Sequence, residues 1–371
     1  MKQGQIVGWG STVREIDHLA ALFDEVVHIA PLHPEPDPGS SLPYRALNVR
    51  LSPVKPAGGN RWIDKLSILG QLPVYLRVMV KEMKSADIVH VRCPAAISLI
   101  ALLLLIVKRE PKFRWVKYAG NWQPDRKESI SYTIQRWIIK SHIANAIATV
   151  NGNWNDLPTF ITPFHNPSMD TRELAIANNS AKAKKIELPF QILFVGRLES
   201  AKGVRRIIDI AKLLLDLHIQ FQIHLIGDGP ERYEIINQVN ENYLSEHIQF
   251  HGWLERSQIN PYYEKSHFIL LPSTASEGWP KVLSEAMAYG AVVLASNISS
   301  IPQIIDRSGA GFAIDPADTT AYSEKIIEMV KNPELWLEKS RKAVEFSRFF
   351  TYDHYLAQLR KIMNSNWGLR L

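Results

Sequence analysis

Short blocks of consecutive apolar residues alternate along this chain with longer stretches whose apolar positions recur at helical spacing. A continuous apolar block suits a strand buried on both faces of a parallel sheet, and the amphipathic stretches between blocks suit its crossover helices. Strands are expected at 5–8, 26–30, 87–92, 113–120 and 146–150, with helices near 13–23, before residue 84, over 95–108 and around 132–141. Two polar loops rich in proline and glycine, 33–39 and 52–60, interrupt this half. Residues 170–188 are polar, poor in aromatics and bounded by prolines, so they read as a linker. The alternation then restarts, with strands at 191–196, 221–227, 248–252, 268–272, 292–296 and 311–314 and helices at 203–217, 231–243 and, after 314, to the end. The pattern predicts an α/β chain of two Rossmann-like domains, 1–168 and 189–350, joined by a linker at 169–188. Two such domains facing each other would leave a cleft between their strand ends.

The most informative stretch is EGWPKVLSEAMAYG, 277–290. A buried strand ends just before it, and the chain turns through Gly278 and Pro280, a residue suited to the first turn of a helix because its missing N–H costs nothing there. Val282, Leu283, Ala286 and Met287 make a helical apolar face, and Gly290 is placed to end it in the left-handed conformation. Glu277 therefore sits in a loop and Glu285 on the helix that follows. A loop at the carboxyl end of a strand, facing free helix N–H groups, is a natural seat for an anion. Without a ligand, the same two acids would serve as a capping or surface pair.

Composition narrows the class. At 371 residues and 46% hydrophobic content the chain can bury two cores. Its single cysteine, Cys93, excludes a disulfide framework or a multi-thiolate metal site and points to a reducing compartment, hence a cytoplasmic setting. The amino-terminal residues lack the apolar core of a signal peptide, and the longest apolar stretch, 95–107, is too short to span a bilayer. The net charge of +6 is unevenly spread: residues 51–140 carry 16 Lys+Arg against 6 Asp+Glu. That excess is either a solvated basic face or a surface for an anionic partner, such as a membrane or an acidic acceptor. No nucleic-acid-binding motif accompanies it, so nucleic acid is not expected as a partner.

Three strand ends in the second half carry glycine-bearing turns: GRLESAKG at 196–203, GDGPER at 227–232 and GWLER at 252–256. Ligands of such sheets bind outside the carboxyl ends of the strands, so these turns should line one edge of a site. Arg197 and Lys202, with a helix opening at Gly203, offer a planar fork, a point charge and helix N–H groups to a diphosphate. Taken in order with LLPSTASEGWPKVLSEAMAYG, these motifs resemble the carboxyl-terminal domain of retaining GT-B glycosyltransferases of the large group 1 family, which includes sucrose-phosphate synthases and bacterial lipid mannosyltransferases. Glu277 and Glu285 match that family's paired glutamates, and the similarity covers roughly residues 191–350.

The resemblance implies a donor nucleoside-diphosphate sugar, an acceptor that is a saccharide or lipid-linked, retention of anomeric configuration, and a role in polysaccharide or glycolipid biosynthesis. It implies that Arg197 and Lys202 neutralise the diphosphate, that Glu277 lies by the donor sugar, and that Glu285 holds the ribose hydroxyls. Gly196 and the stretch Gly278, Trp279, Pro280, Lys281 and Val282 would approach sugar and phosphate, and the base would rest near Trp253, which is a stacking candidate or a packed aromatic. No Asp-x-Asp sequence occurs, so neither a metal nor another cofactor is expected. In the first half the glycine-rich loop of the family falls on Gly10, although the usual double glycine is absent. His90, Asn121 and Trp122 fall on the acceptor side, with Trp122 a potential platform for a sugar ring and His90 alternatively a structural residue. The final helix, 351–371, would pack back on the first domain, and the basic region would meet the face of an anionic membrane. Two other readings remain: a non-catalytic nucleotide-sugar-binding partner protein, and a GT-B epimerase acting on a UDP-sugar.

Overall fold

The computed structural model describes residues 5–34, 39–59, 62–124 and 128–369. The chain divides into two compact units, Met1–Phe164 with Tyr355–Leu371, and His165–His354. The first proline-rich loop, 33–39, lies partly outside the described residues.

The first unit contains strands β1 (Val7–Trp9), β2 (Val26–Pro31), β3 (Ser41–Pro43), β4 (Val49–Val54), β5 (Ile88–Cys93), β6 (Phe113–Tyr118), β7 (Ile147–Asn151) and β8 (Ile161–Phe164). Its helices are α1 (Gly10–Leu19), α2 (Trp62–Met83), α3 (Ala96–Val107) and α4 (Ile130–Lys140). The strands are grouped as a parallel sheet β5-β6-β7-β8, a parallel pair β2-β4 and an antiparallel pair β1-β3. The pattern did not predict β3, β4 or β8. They are short and proline-bearing, and Pro53 suits a strand only because β4 pairs on one side among the described residues.

The second unit contains β9 (Phe190–Val195), β10 (Phe221–Ile226), β11 (Ile248–Gly252), β12 (Phe268–Leu271), β13 (Val292–Ser296) and β14 (Gly311–Ile314). They form one parallel sheet in the order β11-β10-β9-β12-β13-β14, so the chain reverses its direction of growth between β9 and β12. Every residue of β12 and β13 is buried, as their unbroken apolar composition requires. The helices are α5 (Thr171–Ala181), α6 (Val204–Asp216), α7 (Arg232–Glu241), α8 (Arg256–Lys265), α9 (Lys281–Ala288), α10 (Ile301–Ser308), α11 (Thr319–Lys331) and α12 (Pro333–Ser347). A last helix, α13 (Tyr352–Trp367), contributes Tyr355, Leu359 and Met363 to an apolar cluster of the first unit that also contains Leu19, Trp115 and Phe164.

The segment expected as a linker, 169–188, instead carries α5. The Asp170 carboxylate accepts from the Glu173 N–H and the Glu173 side chain accepts from the Asp170 N–H, a reciprocal cap that starts the helix. Met169 and Ala177 enter the core of the second unit, and the Lys184 ammonium donates to the carbonyls of Tyr263, Ser266 and Tyr289 at the ends of α8 and α9. So few apolar anchors leave the rest of the segment polar, which is why it read as a linker.

Candidate functional site

The turns at the carboxyl ends of β11, β10, β9 and β12 are laced together by backbone hydrogen bonds. The Gly227 N–H donates to Gly252 (2.8 Å), Gly196 to Ile226 (3.0 Å), Leu198 to Asp228 (3.0 Å) and Thr274 to Ala201 (2.8 Å). Two glycines make this contact feasible. Gly227, at φ 135°, would bring a side-chain Cβ within 1.9 Å of the Gly196 carbonyl oxygen. Gly203, at φ 80°, would bring one within 2.0 Å of the Pro272 oxygen. The result is one rim of backbone spanning the point between β9 and β12 where strand order reverses, the usual ligand position of such sheets.

Ion pairs sit on this rim. The Lys202 ammonium meets the Glu277 carboxylate, and both side chains keep solvent access. Ser273 Oγ donates to the Ala201 carbonyl (3.0 Å), which fixes one loop against the other and so sets that pair. Arg197 is exposed and pairs with Glu199 of its own loop at 3.3 Å. Glu285, on α9, meets Arg256 at the start of α8, and the Tyr263 hydroxyl donates to its other oxygen at 2.9 Å. Arg256 also donates to Glu173 (3.1 Å) and to the Ser168 carbonyl (2.9 Å). Burial works against the charge on Arg256, but Glu285 and Glu173 more than offset it and raise its pKa above the usual value. Burial, reinforced by Glu285, pushes the Tyr263 phenol well above its ordinary range, so it stays a donor. A cavity of about 50 Å³ opens beside this network, lined by Glu173, Arg256, Asn260, Tyr263 and Glu285 among others.

Arg256 and Tyr263 were not anticipated as site residues. Arg256 closes the GWLER turn, and its charge at a strand-end turn was the available signal; nothing local marks Tyr263. Helix α8 itself was missed, since Pro261 stands inside it.

The remaining second-unit residues divide by exposure. Pro280 is the N-cap of α9, which begins at Lys281. Gly278 offers its carbonyl to Ser300 Oγ (3.2 Å). Lys281 lies over the Tyr352 ring at 5.9 Å, and Val282 packs against the core. The Trp279 ring is buried, stacks on Phe350 at 5.4 Å and donates to Ser284 Oγ, so only its backbone remains for a ligand. Trp253 is 43% exposed. The packed alternative for that ring is thereby corrected: it follows the turn at Gly252 and points away from the sheet core.

In the first unit Gly10 opens α1, and its N–H donates to Ser40 at 3.0 Å. A Cβ there would lie 2.4 Å from that oxygen. His90 stacks on Trp115 with ring centroids 3.8 Å apart and stays exposed to solvent. Asn121 is buried, and its Oδ1 accepts from the Gln123 N–H, closing a turn. Trp122 is a correction: it is 1% exposed and meets Tyr118 edge-on at 5.4 Å, so it offers no face to a sugar. Its apolar area is satisfied by the core instead. A buried charge cluster also lies here. Glu15 pairs with Lys117 (2.5 Å) and Arg92 (2.7 Å), and the Tyr355 hydroxyl donates to it at 3.2 Å.

Residues 176–348 match the family model for glycosyl transferases group 1. A glycosyltransferase of Methanocaldococcus jannaschii is 32% identical over 170 residues, 46% of each chain. A glycosyltransferase of Haemophilus influenzae is 23% identical over 295 residues, 78% of this chain and 79% of that one. The amylovoran biosynthesis glycosyltransferase AmsK of Erwinia amylovora is 25% identical over 174 residues, 44% of this chain and 43% of its own. The match thus spans less than half of the archaeal protein and of AmsK. Among solved structures, sucrose-phosphate synthase from Thermosynechococcus elongatus superposes with a TM-score of 0.72 at 17% identity, covering 96% of this chain and 92% of that one. HepE of Anabaena, in complex with UDP, gives 0.69 at 15%, covering 97% and 98%. These likenesses show the fold, which is GT-B.

Proposed function

We propose, from the match of residues 176–348 to the family model for glycosyl transferases group 1, that this chain moves a sugar from a nucleoside-diphosphate sugar to an acceptor hydroxyl with retention of configuration. The observation that supports it is the laced rim of four strand-end turns carrying the Lys202–Glu277 and Arg256–Glu285 pairs. Breaking the bond between the sugar C1 and the phosphate oxygen leaves charge on the diphosphate. Lys202 and Arg197 would stabilise that charge, most of all in the transition state, and no metal is required in this scheme. Once the phosphate takes Lys202, Glu277 is released to accept from the donor's hydroxyls. Backbone N–H groups at the start of α9 face the same anion, and the two Glu285 oxygens can accept from a vicinal ribose diol. The acceptor oxygen bonds to C1 on the face the diphosphate leaves, and the acceptor proton passes to the leaving phosphate oxygen.

HepE has been solved with UDP and with UDP and glucose, and AmsK is named for amylovoran synthesis. UDP-sugars are therefore the first donors to try, with a polysaccharide or glycolipid precursor as acceptor. The lone, buried Cys93 fits a reducing compartment, and the basic first unit fits the inner face of an anionic membrane, where we place the protein. No helix among the described residues is long and apolar enough to cross a membrane. Thermal-shift measurement against a panel of nucleoside diphosphates and their sugars tests the reading. A concentration-dependent rise in Tm for one nucleotide, with EDTA-insensitive donor turnover, is expected. No shift for any nucleotide overturns it, and binding without turnover on any acceptor leaves a binding protein.

A further inference from the structure

We propose that the outward faces of α2, α3 and α4 form one docking surface for an anionic lipid bilayer, which extends the membrane setting proposed above. The three helices lie side by side. Tyr75 and Met79 of α2 share a buried cluster with Ile100 and Leu104 of α3. Gln135 of α4 exchanges two hydrogen bonds with the Ala95 backbone at the start of α3, at 3.1 and 3.3 Å. At the other end the buried Arg114 guanidinium donates to the carbonyls of Leu105, Lys108, Pro111 and Ala144. That one side chain fixes the end of α3, the basic turn after it and the segment beyond α4 in a single arrangement.

What these helices turn outward is the reverse of an ordinary solvated face. Ile130, Ile134 and Trp137 follow one another at helical spacing along α4, at 78, 38 and 59% exposure. Val107 at the end of α3 is 74% exposed and Leu69 on α2 is 65%. Cations are interleaved with them: Arg77 and Lys81 on α2, Lys84 just after it, Lys108, Arg109 and Lys112 after α3, and Lys140 on α4, all exposed. Of the nearby acids, Glu82 is held by Arg50 at 2.9 Å, and Glu110 stands exposed within the basic turn, outnumbered there by Lys108, Arg109 and Lys112.

Apolar side chains including a tryptophan, ringed by lysine and arginine, match the boundary between lipid headgroups and acyl chains. The cations also decide against a second copy of this chain as the occupant, because two such faces would set like charges against each other. An anionic bilayer is complementary to both features at once.

Co-sedimentation of the full chain with phosphatidylcholine vesicles, with and without phosphatidylglycerol, tests this. Binding to the anionic vesicles alone is expected. Ile134→Ser with Trp137→Ser should cut partitioning by about tenfold or more, and Lys108→Glu with Arg109→Glu and Lys112→Glu by at least as much. Both variants should keep the parent's thermal midpoint and nucleotide affinity, because these side chains lie outside the core and the rim. Equal binding to both vesicle types, no binding to either, or variants that bind like the parent would overturn the proposal. A dimer in sedimentation velocity that Trp137→Ser dissolves would overturn it too, in favour of self-association. Nucleotide affinity measured on the same samples tests the donor-site reading separately.

Discussion

The two units of this chain solve opposite problems. The second is one continuous six-stranded parallel sheet, with the Lys202–Glu277 and Arg256–Glu285 pairs standing on a rim of turns. The first divides its strands among three smaller sheets, places Glu15 and Lys117 in its interior, and carries most of the exposed large apolar side chains among the described residues. The difference teaches where chemistry and where attachment can be built. A site that must hold cations and N–H groups in fixed relation needs a continuous scaffold, whereas a broad surface tolerates irregular strands beneath it.

The contrast is most sharply tested by breaking the buried charge of the first unit. Lys117→Met removes the buried ammonium that pairs with Glu15, and should cost about 3–5 kcal/mol. Urea unfolding should show the loss, with nucleotide affinity of the folded protein unchanged. Lys202→Ala in the second unit should do the reverse. Donor turnover should fall by about 10²–10³, the scale of losing one preorganised group opposite developing charge, with little change in Tm. If Lys202→Ala unfolds the protein while Lys117→Met spares it, the assignment of stability to one cluster and chemistry to the other is reversed.

Acid should affect both units, by a smaller amount. Burial lowers His28 in the first unit and His165, His224 and His267 in the second to about 4. Unfolded imidazoles take protons from about pH 6.5, so between there and about pH 4 the unfolded state holds more of them. Stability is therefore flat above neutrality and falls as pH drops through that window, by on the order of 1 kcal/mol per histidine at pH 5. Urea midpoints at pH 7.5 and pH 5 measure it, and equal midpoints would contradict the burial of these rings.

The smallest effect separates two tryptophans. Trp253→Ala should leave stability within about 0.5 kcal/mol, as for an exposed position, and weaken nucleotide binding a few-fold. The same change at Trp122 should cost about 3–5 kcal/mol without a specific effect on acceptor binding. Differential scanning and calorimetric titration distinguish them.

The second unit was largely legible in the sequence. Its strands are largely apolar blocks, and its turns announce themselves by glycine. The first was legible in β1, β2, β5, β6, β7 and its helices but not in β3, β4 or β8; Ser41–Pro43 and Val49–Val54 owe their strand geometry to a partner strand rather than to their own pattern. Helix α5 was hidden for a related reason: a capping box and two apolar contacts suffice once a neighbouring surface is present.

By itself, then, the sequence determined where strands end and which charged residues stand at those ends, since hydrophobic period and turn chemistry act over a few residues. Tertiary structure alone decided which charges meet and which rings see solvent. Lys202 reaches Glu277 across 75 positions of chain, and Arg256 reaches Glu285 across 29. Trp122 is buried while Trp253 is exposed, though both follow a strand in a turn. Ion pairing and solvent access depend on distances in space, and those are set by how the sheet brings remote turns side by side.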